Sequence, residues 1–283
     1  MTYKLIAFDL DGTFLNNDKS VPPENLRALE AAASLGVHIV PATGRIIAGV
    51  PEAIARLPFI RYYISVNGAY VYDSAQDKVL YRGEIPLDTS LRILEYMDTL
   101  PVIYDCYQDN RGWMSRAMYE HAAEYFISEP HMYDFFRRMR QPVDELKETL
   151  RRRGRPVQKL QMHFKPDQME ERRRQTELVP RLFPEVVASC SLSNNVELNS
   201  VTAGKGQALD ALCAALDFTA AEAVAFGDGS NDTELLLTAG LGVAMANAAP
   251  AVKAAADRIT GSNEEAGVAQ VIWELLAAGA LGT

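Results

Sequence analysis

Cysteine is scarce in this chain of 283 residues. The three that occur, Cys106, Cys190 and Cys213, are odd in number, far apart and never paired as CxxC. That argues against a disulfide scaffold and a thiolate zinc site and fits a reducing compartment. Histidine is also thin: His38, His121, His131 and His163 show no HxxxH spacing. Positive charge is in deficit, with 28 Lys+Arg against 37 Asp+Glu and a formal net charge of -9. An acidic surface repels nucleic acid and anionic lipid, so neither is expected as a partner. Long apolar runs are missing. Residues 235–252 carry no charge, but Thr238, Gly240, Gly242, Asn247 and Pro250 break them into a helix end, a short strand and a turn. The apolar stretch after Lys4 meets Asp9 within five residues, too soon for a leader peptide, so a cytoplasmic protein is expected.

What is present is an alternation. Short apolar runs at 5–8, 37–40, 62–66, 223–226, 241–245 and 258–260 are separated by helical patterns at 22–35, 46–57, 205–216, 232–239, 250–256 and 264–277. Continuous apolar strands between helices predict a parallel sheet covered on both faces. The expected fold is α/β, a doubly wound, Rossmann-like parallel-sheet core with an inserted α+β cap domain. The core comprises 1–82 and 189–283, and the insert 83–188. Within the insert, Leu160, Met162 and Phe164 alternate with Lys159, Gln161 and His163, the period of a half-exposed strand. Nine aromatics between Tyr104 and Phe136 are expected mostly to pack in its core. Arg151–Arg153 and Arg172–Arg174 read as solvated surface.

The core runs end in polar groups suited to one job. They are Asp9 with Asp11; Thr43, Gly44 and Arg45; Asn67; and Asp228 with Asn231 and Asp232. Lys205 opens the helix before the last of these strands. In a doubly wound fold, ligands bind beyond the carboxyl ends of the strands, so these groups are expected to share one crevice. Aspartates at close range repel by ~1 kcal/mol per pair in water and more near a surface, unless a cation shares them. Oxygen-only ligands select a hard ion, here Mg2+. With Lys205 such an ion makes a pocket for phosphate, and Gly12, Gly44 and Gly229 let backbone amides approach it.

Aspartate is ionised at neutral pH, its unperturbed pKa being ~3.9, so Asp9 can attack phosphorus with no activating base. Asp11, two residues on, points to the same side and can serve as acid and base. Thr43 can donate to the phosphoryl oxygens and Lys205 neutralise their charge. Asp228 would hold the metal, and Asp232 the metal's water or Lys205. Gly44, Arg45 and Asn67 are expected to meet the substrate.

Asp9-Leu-Asp11-Gly-Thr13, Ala42-Thr43-Gly44-Arg45, Lys205-Gly206 and Gly227-Asp228-Gly-Ser-Asn231-Asp232 resemble, in order, the four motifs of the haloacid dehalogenase superfamily. ISVNGAYVYD and AMANAAPAVKAAA further resemble its Cof-type phosphatases, which carry a large α/β cap between motifs two and three. Glu264-Glu-Ala-Gly267 departs from the acid-rich turn ending Asp-Gly that this subgroup usually has. The resemblance implies Mg2+-dependent phosphomonoester hydrolysis with Asp9 as nucleophile, Asp11 as acid/base and Asp228 on the metal. It also implies the Asp11 backbone carbonyl as a metal ligand and Asn231 on phosphate or substrate. The expected substrate is a small phosphorylated metabolite such as a sugar phosphate, with the insert reading the leaving group.

Plainer readings compete with these. DLDG is no EF-hand, because Gly12 falls at position four and Ser20 at twelve. Lys205 is in no P-loop, because Asn199 stands where the first glycine belongs. A phosphomutase or phosphotransferase would use the same aspartyl-phosphate. A non-catalytic phospho-ligand sensor would have no need of a nucleophile.

Overall fold

The computed structural model describes residues 2–127 and 130–282. Contacts divide the chain into two units, Met1–Arg82 with Ala203–Thr283, and Gly83–Thr202. The first unit begins with β1 (Leu5–Phe8), α1 (Pro23–Ser34), β2 (His38–Pro41), α2 (Glu52–Ala55), β3 (Tyr62–Ser65), β4 (Tyr70–Asp73) and β5 (Lys78–Arg82). The second holds α3 (Leu87–Met97), β6 (Ile103–Gln108), β7 (Arg111–Ser115), α4 (Arg116–His121), α5 (Pro130–Met139), β8 (Arg140–Val143), α6 (Leu146–Arg153), β9 (Lys159–His163), α7 (Met169–Leu182), β10 (Val186–Ser189) and β11 (Asn195–Ser200). The first unit resumes with α8 (Lys205–Ala215), β12 (Ala223–Gly227), α9 (Thr233–Thr238), β13 (Leu241–Ala244), α10 (Pro250–Ala255), β14 (Arg258–Ile259) and α11 (Gly267–Ala277).

The core sheet is parallel, in the order β14-β13-β12-β1-β2. Parallel bridges from Ile39 to Ile60 and from Ala42 to Ile64 carry it on to β3. Successive side chains of β1 go to opposite faces. Ile6 and Phe8 pack with Phe226, with Ala28 and Leu29 of α1 and with Val271 and Ile272 of α11. Leu5 and Ala7 pack with Ala225, with Leu209 and Leu212 of α8 and with Leu235 of α9. Each large side chain buried in these layers contributes roughly 1.5–3 kcal/mol of transfer free energy. Both faces are therefore covered, as the unbroken apolar runs require. Among the described residues no helix is long and apolar enough to cross a membrane.

Two expectations about the elements change. The helix expected over 46–57 is a single 3₁₀ turn at Ile47–Gly49 and one turn of helix at Glu52–Ala55. Pro51 separates them, because a residue before proline is pushed out of the helical region; Val50 sits at φ -70, ψ 131. The second unit runs to Thr202, beyond the expected return at 188, since β10 and β11 are strands of its six-stranded sheet, ordered β10-β11-β9-β6-β7-β8.

The expected half-exposed strand, β9, is buried on both faces. Its apolar side packs with Tyr104, Cys106, Leu198, α3 and α6. Its polar side is buried because its charges are paired. Lys159 meets Glu197 at 3.0 Å. Gln161 donates to Asp105 Oδ1 at 3.0 Å, and His163 Nε2 lies 3.0 Å from Asp105 Oδ2. Arg140 Nε lies 3.2 Å from Asp105 Oδ1. The Phe126 and Phe136 rings, 5.3 and 5.1 Å from the His163 ring, shut out water.

Burial drives the His163 pKa down, more than Asp105 raises it. Asp105 is pushed up by burial, but Arg140 and His163 outweigh this and hold it below the usual carboxylate range. Both groups therefore bind protons less readily folded than unfolded, so the stability they contribute falls as the pH falls. The stability that His163 contributes is expected to fall as pH drops from about 7.5 to 5.5, through the unfolded imidazole pKa of ~6.5; the raised Asp9 and Asp228 act in the opposite sense over this range, so the quantity to follow is the difference in thermal midpoint between the parent and His163→Gln. A further drop follows below about pH 4 as Asp105 protonates. In calorimetry that difference should change with pH across this interval, and a difference independent of pH would refute the assignment; because His163 also helps to hold Asp105 low, the variant should soften the drop below about pH 4 as well.

Candidate active site

The carboxyl ends of β1 and β12 lie side by side, since Phe8 pairs with Phe226. Asp9 therefore leaves the sheet beside the turn that carries Asp228, and its N–H donates to Phe226 O at 3.0 Å. One carboxylate oxygen from each of Asp9, Asp228 and Asp232 lies within 4.8 Å of the other two. Lys205, the first residue of α8, reaches into this group. Its Nζ donates to Asp9 Oδ1 at 2.7 Å and to Asp232 Oδ1 at 2.5 Å, and its side chain is fully buried. Asp232 Oδ2 accepts from the N–H groups of Asp228 and Gly229 at 3.1 and 2.9 Å. Both Asp232 oxygens are thus engaged.

The loop after β1 is shaped to fit. Thr13 donates to Asp228 Oδ1 at 2.6 Å. Gly12 has φ +80, and a Cβ there would lie 2.3 Å from Asp228 Oδ2, so only glycine permits the approach. Asn247, in the AMANA stretch, donates to Gly12 O at 2.7 Å. Glu264, where the sequence departs from the Cof pattern, accepts from Asn17 N at 2.6 Å and so has a structural partner in this same loop.

The electrostatics are those of a site short of positive charge. Burial pushes Asp9 up to about 8; Lys205 opposes this, while Asp232 and Asp11 add to it. Burial also pushes Asp228 up to about 6, with Thr13 opposing and Asp232 adding. Burial alone would lower Lys205, but Asp232 and Asp9 outweigh it and raise its pKa. With all three carboxylates ionised, one ammonium would leave an excess of two negative charges on oxygen donors, and the raised Asp9 and Asp228 pKa values express the resistance to that state. Such a donor set fits Mg2+.

Asp11 goes elsewhere. Arg45 Nε and Nη2 donate to its Oδ2 and Oδ1 at 2.7 and 2.6 Å, and Lys19 Nζ lies 2.9 Å from Oδ1. Burial would raise the Asp11 pKa, but this fork and Lys19 hold it below the usual range. Two-residue spacing predicts a common direction only in an extended strand; here the chain turns at once, with Phe14 N donating back to Asp9 O at 3.2 Å. Arg45, read from the sequence as a substrate ligand, is found on Asp11 and donates from Nη1 to Gly49 O at 2.8 Å. Lys19, Thr13 and Asn247 join the site only through the fold. Lys19 has no sequence signal, being one exposed lysine in a turn. Thr43 is buried, its Oγ1 accepting from Arg45 N at 3.2 Å. Asn67 Oδ1 accepts from Asn231 Nδ2 at 3.1 Å.

A sequence model of haloacid dehalogenase-like hydrolases matches residues 6–272. The chain belongs to the haloacid dehalogenase-like hydrolase family. It is accordingly an enzyme of the hydrolase class, and its curated relatives are named as phosphatases. It is 30% identical to the 5-amino-6-(5-phospho-D-ribitylamino)uracil phosphatase YcsE of Bacillus subtilis, over 95% of this chain and 94% of that one. It is also 30% identical to the HMP-PP phosphatase of Serratia proteamaculans, over 89% and 86% of the two chains. Among solved structures, a haloacid dehalogenase-like hydrolase from Bacteroides thetaiotaomicron superposes with a TM-score of 0.81 at 27% identity, covering 97% of this chain and all of its own. These hydrolases generally use Mg2+, and the aspartate cluster is where this member of the family could hold it.

Proposed function

We propose that this chain is a Mg2+-dependent phosphomonoesterase acting on small phosphorylated metabolites through a phosphoryl group carried on Asp9. The observation that carries the reading is the buried Asp9–Lys205–Asp232 group with Asp228 beside it. The named substrates of the two relatives, both small phosphorylated compounds, support the substrate class.

In the first step an Asp9 carboxylate oxygen attacks phosphorus and the bond to the leaving oxygen breaks. Asp11 gives that oxygen its proton. In the second step Asp11 takes a proton from water, the water oxygen attacks phosphorus, and the bond to Asp9 breaks. Inorganic phosphate leaves, with Asp9 ionised and Asp11 protonated as at the start. Lys205 balances charge on Asp9 and on the phosphoryl oxygens, and Asp232 with its two backbone amides holds Lys205 in place. Thr43 donates to the phosphoryl group. Asp11 can take its part only after its contact with Arg45 opens, which frees Arg45 for an anionic substrate oxygen. A Mg2+ ion held by Asp9, Asp228 and the Asp11 carbonyl would supply neutralising charge to the carboxylates and the phosphoryl oxygens. The unit Gly83–Thr202 is the expected reader of the leaving group.

A panel of phosphorylated metabolites, assayed for released phosphate with Mg2+ and with EDTA, tests this. Phosphate should appear with Mg2+, fall by at least ~100-fold in EDTA and return on adding the ion back. Turnover indifferent to EDTA would refute the metal. Isomerised phosphosugar without free phosphate would indicate a mutase.

A further inference from the structure

The turn after β3 has an unusual backbone. Val66, Asn67 and Gly68 follow one another at φ 54, 58 and 90. A β-branched residue rarely enters this region, and such conformations persist only where their surroundings impose them. Here the surroundings are the other site loops. Val66 N donates to Arg45 O and Asn67 N to Thr43 O, each at 3.0 Å. A Cβ on Gly68 would lie 2.3 Å from Gly204 O and 2.9 Å from Lys205 N, so the turn rests on the start of α8. Asn67 Oδ1 accepts from Asn231, and a Cβ on Gly44 would lie 2.8 Å from the same oxygen. The Asn67 side chain and two amides thus touch the loop of Thr43 and the turn of Asn231, while Gly68 rests on the start of the Lys205 helix.

We propose that Asn67 is a positioning residue. Its carboxamide is a strut that sets the separation of the Asn231 turn and the Thr43–Arg45 loop, and it acts on the substrate through Asn231. The sequence alone suggested a substrate ligand; the geometry points to a spacer. The proposal rests on the phosphatase reading above.

Asn67→Gly removes the carboxamide while keeping the left-handed backbone, and Asn67→Asp keeps the acceptor oxygen. Misplacement by about 1 Å costs ~100-fold in rate, so kcat of Asn67→Gly should fall by about that factor with KM within about threefold. Asn67→Asp should restore kcat to within about fivefold of the parent, on the same argument. Asn67→Ser, too short to reach Asn231, carries the glycine prediction if that variant melts too low to assay. Combined with Asn231→Ala, the loss should be no larger than that of the worse single variant. A raised KM with unchanged kcat in Asn67→Gly, or multiplying losses in the pair, would overturn the strut. Asp9→Asn is run beside them. If it releases phosphate, Asp9 as nucleophile fails, and with it the mechanism on which the strut rests. If it is inert while Asn67→Gly changes KM alone, only the strut fails.

Discussion

Asp9→Asn is expected to abolish phosphate release, with kcat falling by at least ~10⁴-fold, the scale on which removing a catalytic nucleophile acts. The amide matches the carboxylate in size but offers no anionic oxygen to phosphorus. The fold should survive, because Lys205 keeps its bond to Asp232. Metal-free Asp9→Asn should even melt at or above the parent temperature. Burial and the neighbouring aspartates oppose ionisation of Asp9, pushing it up to about 8, and the substitution removes that charge. Phosphate release and a thermal melt in EDTA check the two halves. Retained turnover would refute Asp9 as nucleophile, and a collapsed melt would mean that Asp9 is needed for folding.

Lys205→Met is expected to damage both stability and rate. The methionine fits the buried space but leaves Asp9 and Asp232 without the cation that reaches both. Removing one partner of a buried ionic group costs roughly 3–5 kcal/mol. In a chain of this size that lowers the melting midpoint by about 10 °C. The rate should fall by ~10²–10³-fold, as when one preorganised charge facing the transition state is lost. Added Mg2+ should return part of the melting temperature, because an ion can share the same carboxylates, but not the rate. A variant that melts and turns over like the parent would show that Lys205 is a bystander.

Local pattern carried much of the fold. Leu5–Phe8, His38–Pro41 and Ala223–Gly227 are strands where unbroken apolar runs stand, and Lys205–Ala215 is a helix with its expected start. The structure departs from local pattern where a neighbour outvotes it. Pro51 split a helix whose apolar spacing was otherwise sound. Lys159, Gln161 and His163 alternate as if facing water, but Glu197, Asp105 and Arg140 meet them from other strands, so the charges are buried in pairs. The segment 189–202 has no linker composition, and only its pairing with β9 assigns it to the second unit.

The candidate site divides in the same way. Which polar residues end the core strands is a property of the sequence, because strand ends follow from apolar runs and their breakers. The shared cluster of Asp9, Asp228 and Asp232 follows from strand order, which puts β12 beside β1 across more than 200 intervening residues. Local spacing suggested that Asp11 would look the same way as Asp9. The fold turned it to Arg45 and Lys19 instead, because a bidentate guanidinium outweighs the weak directional preference of a chain already leaving its strand. By itself, then, the sequence determined the alternation of elements and the chemistry carried at their ends. Only the tertiary structure decided which of those groups meet, since contacts between distant residues depend on sheet order and loop geometry that local periodicity does not encode.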